Sequence, residues 1–521
     1  MKHSRLYVVY STGLFVLLSI VLFIISSRLI AYFQTPEDLS LTTTSENPDI
    51  TEFYQPAFNW QPHTNEGREM EKHMLKKISN DYFASYYYHN LYLSRGQEVG
   101  INDFYTKVSR EKVQFINASL HELNQTIHHT TISHDLKLEL YAEDGTLVVL
   151  KDTQINYHQL YENEVFASGY YDSAQFDVML LLEDNFWRVR HKTRSTIDLP
   201  KRKVKQDFLT NFISSKKNQF INSGKKWVSK GINYYPAEFP WEEFWPNLSA
   251  DLLTSDFKLI HEAGFNTIRV FVPYLQFGGA EVKEDYLQKL GFLFEMADQQ
   301  NLKVIVTLFD FFLGYSVDQW TLSDRHAEAI VTRFADHPAI LSWDIKNEPD
   351  LDFEDHGKAE VKEWLNFMIK RIKTYDPKHL VTIGWSSPEY MEMLGESVDY
   401  YSFHYYKEAD KLKNYLNQTY DKPVLLEETG QHSFNAWWYP FRKSDADQAT
   451  YLKQVFETVD SAGISYNLWT LYDFKQIPDN VVGKALWRKG IQKNFGLIDK
   501  KGKPKPVFEV VKGFNNRPVR F

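Results

Sequence analysis

The sequence predicts an α/β chain: a (β/α)8 (TIM) barrel over residues 226–521, preceded by a smaller α+β domain over 61–195 and by an N-terminal transmembrane helix. Three observations carry this. After Lys225, eight short apolar runs recur, each followed by a helical stretch; between 61 and 195, helical patterns give way to alternating strand patterns; and Leu6–Ser27 carries no charge. A chain of 521 residues exceeds one ordinary domain. Its 43% hydrophobic and 24% charged residues are the composition of a folded globular protein. A net charge of −9 with no extended basic domain argues against a nucleic-acid partner. The absence of cysteine excludes disulfides, thiolate metal sites, a cysteine nucleophile and a lipidated cysteine anchor.

From the N-terminus, "LYVVYSTGLFVLLSIVLFIISS" (Leu6–Ser27) gives 22 uncharged residues. At about 1.5 Å per residue, a helix of that length crosses a bilayer core. Lys2 and Arg5 precede it, which puts the N-terminus on the cytoplasmic side. A cleaved signal peptide would have a shorter apolar region ending in small residues, and "SSRLIAYF" is a poor cleavage site. Residues 1–33 therefore read as a cytoplasmic stub and single-pass membrane anchor, with everything after residue 33 periplasmic or extracellular. Residues 34–60 read as a polar, proline-punctuated linker.

The pattern is helical from about Asn65 through Leu93 and again near Ser109–Leu123. Strands then dominate. "HDLKLELYAEDGTLVVLKD" alternates around a Glu143-Asp144-Gly145 turn, and the style continues to "NFWRVRH". Helices followed by long antiparallel strands resemble the nuclear transport factor 2-like (cystatin-like) fold; a β-sandwich carbohydrate-binding module is the rival pattern. The connector, 196–225, holds the basic run "KRKVK" (Lys201–Lys205), which reads as a solvated stretch between domains.

The eight barrel strands are expected at 227–235, 265–272, 302–309, 339–347, 379–385, 398–406, 422–428 and 463–471, with helices such as 358–374 and 445–461 between. Such repeated alternation implies a (β/α)8 barrel, whose active site lies at the strands' C-terminal ends. A doubly wound sheet is set aside because no glycine-rich phosphate turn follows the first strand. At those ends stand Arg269, Asp310, Asn347-Glu348, His404-Tyr405-Tyr406, Glu427-Glu428 and Trp469. Burying a lone carboxylate is expensive, so Glu348 belongs at a barrel mouth. Carboxylates on strands four and seven face one another across that mouth. Such a pair suits glycoside hydrolysis, one carboxyl of raised pKa protonating the leaving oxygen and the other, ionised, attacking the anomeric carbon. The bland reading of either glutamate alone is a rim salt bridge. No cofactor or metal is called for: the 17 histidines show no zinc-binding spacing.

Residues 225 to about 515 resemble clan A retaining glycoside hydrolases, and most closely glycoside hydrolase family 5, the cellulase and mannanase family. The carriers are "NTIRV", "IKNEP", "FHYY", "KPVLLEETG", "NLWTL" and "FGLIDKKGKPKPVFEVVK". The resemblance implies Glu348 as acid/base and Glu428 as nucleophile. It further implies Asn347 on the sugar 2-hydroxyl, Arg269 and Tyr406 holding Glu428 ionised, His404 lining the substrate, and Trp469, followed by a cis peptide, as sugar platform. Strand alternation lets only one of Glu427 and Glu428 face the substrate, so Glu427 is expected to pair with a cation behind the strand. Many family 5 enzymes have a histidine after strand three; here Asp310 takes its place, either to bind a sugar hydroxyl or, preferably, to salt-bridge Arg269. Trp385, Trp437, Trp438 and Tyr235 are platforms or packing.

The function expected is a membrane-anchored retaining glycoside hydrolase of a β-linked glucan- or mannan-type polysaccharide. Its partners would be a β-linked oligo- or polysaccharide, the membrane through the N-terminal helix, and a protein docking on 61–195. Two alternatives stand beside it: a non-hydrolytic sugar-binding or scaffolding protein of a polysaccharide synthesis or export complex, and a transglycosylase with the same residues.

Overall fold

The computed structural model describes residues 50–61, 66–195 and 212–517. The expected anchor at Leu6–Ser27 and the basic run Lys201–Lys205 lie outside them. Among the described residues no helix is long and apolar enough to cross a membrane.

The described chain begins with a sheet of strands β1 (Ala57–Trp60), β2 (Glu66–Gly67), β3 (Gln125–Tyr141), β4 (Leu147–Glu162), β5 (Val165–Glu183) and β6 (Phe186–Arg194). The order is β1-β3-β4-β5-β6, with β2 also pairing β3. The strands β3 to β6 form an antiparallel meander, and β3 turns into β4 at the expected place, with Gly145 at φ 72°. Helices Lys72–Arg95 and Lys107–Glu122 precede the meander. Two details differ from the sequence reading. Ala57–Trp60, placed in the linker, is a strand hydrogen-bonded parallel to β3. The first helix starts at Lys72 instead of Asn65, because Glu66-Gly67 pairs with Leu140-Tyr141.

This sheet rests on the barrel's flank. The Tyr157 ring stacks on Trp320 with centroids 4.4 Å apart, its hydroxyl donates to Glu363 at 2.5 Å, and Tyr161 donates to Glu360 at 3.2 Å. The barrel helices Trp320–Phe334 and Lys358–Tyr375 supply those partners.

Within 196–225, read as a connector, β7 (Ser214–Lys216) and β8 (Gln219–Asn222) join β9 (Lys225–Trp227) in an antiparallel sheet. Its Phe220 packs with Ile213 against Ile305, Leu341, Leu380, Tyr400 and Leu425, side chains from the lower parts of the barrel.

The barrel closes in the order β10 (Lys230–Asn233), β11 (Thr267–Pro273), β12 (Lys303–Asp310), β13 (Ile340–Asn347), β14 (Leu380–Trp385), β15 (Tyr401–Tyr405), β16 (Val424–Thr429) and β17 (Ser465–Leu468). All eight fall inside the runs picked from sequence, give or take a residue. The reason is burial on both faces: strands wrapped by helices outside and packed inside read as continuous apolar runs, and β12 is buried from Val304 through Asp310. Helix boundaries follow local chemistry. Asp445–Ala462 begins at Ser444, whose hydroxyl accepts from the Asp447 N–H at 3.2 Å while the Asp447 carboxylate accepts from the Ser444 N–H at 2.7 Å. It ends at Gly463, φ 63°.

Candidate active site

Glu348 follows the last residue of β13 in the left-handed region, φ 50° and ψ 49°, with Pro349 opening a short 3-10 turn behind it. A non-glycine residue there is uncommon and clusters at functional sites. Its own N–H donates to Gly384 O at 2.7 Å, which fixes the kink. The side chain thereby stands at the barrel mouth, facing Glu428 on β16. Oxygens of the two carboxylates lie within 4.8 Å of each other. Both line a cleft of about 410 Å³, together with Tyr235, Trp241, Asp310, Asn347, Tyr406 and Trp469.

Arg269 is the hub beneath them, fully buried. Its Nη1 donates to Glu428 Oε1 at 2.6 Å and to Asn233 at 3.1 Å; Nη2 donates to Asp344 at 2.6 Å and to Asn347 Oδ1 at 3.0 Å. Tyr406 donates to the other Glu428 oxygen at 2.8 Å. Glu428 thus keeps a cation on one oxygen and a hydroxyl on the other. Since Asn347 uses its carbonyl on Arg269, its amide N–H groups are left for whatever occupies the cleft.

His404 differs from its expected place along the substrate. It is fully buried beneath the glutamates, with Nδ1 2.8 Å from Glu348 Oε1 and 3.6 Å from Glu428 Oε2. Burial disfavours its cationic form, but the Glu428 charge and the hydrogen bond to Glu348 outweigh it and push its pKa up to about 10. The imidazolium in turn holds Glu348 below the ordinary glutamate value, against the upward push of burial. The raised pKa expected for Glu348 is therefore not its resting state: the proton of this pair sits on His404.

Glu427 does find cations, as expected, but not behind the strand. It is fully buried, 3.6 Å from Arg269 Nε and 3.8 Å from His404 Nε2. The cause is a β-bulge: Phe403 pairs with Leu426 and His404 with Glu428, so Glu427 is the extra residue and alternation breaks there. Asp310 lines the cleft and makes no salt bridge to Arg269; Asp344 holds that position. Burial raises Asp310 to about 6, with Lys346 and Arg269 opposing. Burial and the Glu427 charge raise Asp344 to about 7.

Sequence reasoning missed Asp344 and Gly384. Asp344 interrupts an apolar strand three residues before Asn347, a signal that was available. Its carboxylate also takes the Gly384 N–H at 2.9 Å and the Thr307 hydroxyl at 2.6 Å. A Cβ on Gly384 would stand 2.7 Å from Glu427 Oε2 and 2.9 Å from Arg269 Nη2, so only glycine leaves room for the buried charges. Trp469 lines the cleft and a cis peptide joins it to Thr470. Tyr235 lines it too, whereas Trp385 is packing against Phe353 and Tyr390. The buried Tyr235 hydroxyl and Trp469 Nε1 have no hydrogen-bond partner among the described residues. Among the described residues, one trio of acidic and histidine groups is close enough to share a metal ion: Glu348, His404 and Glu428. With His404 protonated and Arg269 on Glu428, it offers a cation neither a free imidazole nor an uncompensated charge.

Parts of the chain are similar to known proteins. Residues 221–475 match the family model "Cellulase (glycosyl hydrolase family 5)". The chain is 26% identical over 306 residues to a β-glucuronidase of Chlorocebus aethiops, covering 53% of this chain and 42% of the relative. It is 24% identical over 209 residues to mannan endo-1,4-β-mannosidase A of Hypocrea jecorina, covering 34% and 46%. Among solved structures, an exo-β-1,4-mannosidase from an Opitutaceae bacterium superposes with TM-score 0.49 at 20% identity, covering 57% of this chain and 61% of that one. The chain spans about half the length of the curated relatives it matches. The barrel that carries Glu348 and Glu428 is thus similar to the glycoside hydrolases of family 5.

Proposed function

We propose that this chain hydrolyses a β-linked glucan- or mannan-type polysaccharide with retention of configuration, Glu428 acting as nucleophile and Glu348 as acid/base. The observation that carries the reading is the carboxylate spacing. Oxygens within 4.8 Å are too close for Glu428 to hold an attacking water against the anomeric carbon while Glu348 meets the leaving oxygen, and retaining enzymes keep their carboxyls about 5–5.5 Å apart where inverting ones need about 6.5–9.5 Å.

In the first displacement a Glu428 oxygen bonds to the anomeric carbon as the glycosidic bond breaks. The leaving oxygen takes a proton through Glu348, supplied from the His404–Glu348 pair. In the second, Glu348 takes a proton from water, whose oxygen bonds to the anomeric carbon and releases Glu428. Arg269 and Tyr406 stabilise the departing carboxylate, and the free amide of Asn347 donates to the sugar 2-hydroxyl. The matching cellulase model supports the β-glucan class, and the printed name of one relative, mannan endo-1,4-β-mannosidase A, supports the β-mannan class. The uncharged segment Leu6–Ser27 supports a chain held at the membrane with this barrel outside the cytoplasm.

The test is a slow aryl 2-deoxy-2-fluoro-β-glycoside, in gluco and manno forms, followed by mass spectrometry of the intact and digested chain. A single adduct on the peptide carrying Glu428, absent from Glu428→Gln, is expected. An adduct elsewhere, or a first product of inverted anomeric configuration, overturns the assignment.

A further inference from the structure

The loop after β16 and the segment after β17 form one surface that the cleft chemistry leaves unexplained. Trp437 is 87% exposed, Phe441 71% and Leu486 78%, with Trp438 and Trp487 also exposed beside them. Folded proteins rarely display five large apolar side chains together unless something binds there. The surface is built, not loose. Tyr439 stacks on Trp487 with centroids 6.3 Å apart and packs edge-on to Phe441; the Ser433 N–H donates to Asn494 O at 2.8 Å. Phe434 lies so close over Gly490 that an added Cβ would meet its ring at 2.5 Å.

Two further features say what it binds. Residues 431–443 and 479–495 hold six cations, Arg442, Lys443, Lys484, Arg488, Lys489 and Lys493, against one carboxylate, Asp479, in a chain of net charge −9. Asp479 is paired with Lys489, and Arg488 lies 5.2 Å over the Trp487 ring. The same segment supplies Val481, Val482, Ile491 and Gln492 to the wall of the catalytic cleft. The segment that carries Trp487 therefore also walls the cleft, and its charge is opposite to that of the carboxylates lining the cleft.

From the exposed indoles, the cation-rich segments that carry them and the wall that one of those segments shares with the cleft, we infer that Trp437 and Trp438 are a platform for the distal sugars of an acidic β-linked polysaccharide, one bearing carboxylates. The inference rests on the hydrolytic reading of the cleft and narrows its glucan- or mannan-type backbone to the uronate form, in which C6 is a carboxylate. Flat indole faces take the apolar faces of sugar rings, while Lys and Arg at the rim attract the carboxylates and select against neutral chains. A lipid surface, which also favours tryptophan beside cations, does not explain why the same segment walls the cleft.

The experiment uses the full chain with two probes that share a backbone geometry, β-1,4-linked mannuronate oligomers and neutral β-1,4-manno-oligosaccharides of equal length, with binding measured at low and high salt. Tighter binding of the mannuronate oligomer, weakening with salt, is expected. Trp437→Ala with Trp438→Ala should weaken its binding about tenfold or more, each tenfold being about 1.4 kcal/mol. Lys484→Gln with Arg488→Gln should weaken the acidic oligomer alone and flatten its salt dependence. Equal affinity for the two oligomers, or indifference to the tryptophan pair, overturns the inference. So does a loss of binding to phosphatidylglycerol-containing vesicles by the tryptophan variants while oligomer affinity stays intact. Hydrolysis of a short aryl β-glycoside, which reaches only the cleft, is measured in parallel: its absence in the unsubstituted chain marks failure of the hydrolytic reading, whereas its persistence with no oligomer preference marks failure of the platform alone.

Discussion

His404 donates from Nδ1 to Glu348 at 2.8 Å, and no other side chain in the described residues touches that acid so closely. The pair holds one proton, drawn to the imidazole by the negative charge of Glu428. This predicts that His404→Gln moves the alkaline limb of the kcat/KM pH profile toward acid. The unsubstituted pair keeps its proton until the imidazole titrates, at about 10, whereas Glu348 alone, a carboxylic acid, gives it up earlier. An unmoved limb, read from profiles on a poorly activated substrate, would show that His404 only orients.

Tyr406 bonds the Glu428 oxygen that Arg269 does not. A hydrogen bond to a charged group is worth about 1.5–3 kcal/mol, so Tyr406→Phe should lower kcat/KM about 10- to 100-fold. The fold, followed by circular dichroism and thermal unfolding, should be preserved. A change of less than twofold in kcat/KM argues that Arg269 alone orients Glu428.

Gly384 sets how tightly the carboxylates of Asp344, Glu427 and Glu428 can surround one guanidinium. Gly384→Ala drives a methyl into Glu427 and Arg269. Overpacking of this kind costs about 1–3 kcal/mol, and the displaced guanidinium no longer meets Glu428. Thermal midpoint and kcat should fall together; a variant with unchanged kcat would mean that the cluster tolerates rearrangement.

Asp310 gives a prediction in stability. Burial raises its pKa to about 6, above the 3.8 of a free aspartate. The folded state therefore holds the proton more tightly, and the protein loses stability as pH climbs from about 4 to about 6, with no further loss from this group above. Asp310→Asn removes that slope. Its stability relative to the unsubstituted chain should rise across the same interval by at most about 3 kcal/mol, measured by denaturant unfolding at each pH. A constant difference would place Asp310 in solvent contact.

The barrel was legible because strands buried on both faces leave uninterrupted apolar runs. A carboxylate closing such a run, as Glu348 and Glu428 do, is costly unless it opens onto a mouth where water or substrate meets it. The features that stayed hidden depend on register. Nothing local distinguishes Glu427 from an ordinary outward-facing residue; only the pairing of His404 with Glu428, one step out of phase, turns it inward. The depth of His404 was hidden for the same reason, since strand alternation gives a face but not a height above the core. Asp344 stood in plain view, a lone acid inside an apolar strand, but the barrel rule points to strand tips and Asp344 lies below one. The segments 430–444 and 479–495 carry no periodicity, so their aromatic side chains were ambiguous until the folded chain showed which of them stay exposed.

The sheet of β7 to β9 has a practical consequence for anyone dissecting the molecule. Phe220 and Ile213 act as a cork in the underside of the barrel, sealing the interior against water from below. A truncation at the first barrel strand, near residue 226, would pull that cork and wet the floor under Tyr400 and Leu425. The smallest piece that keeps a dry interior starts ahead of Ile213.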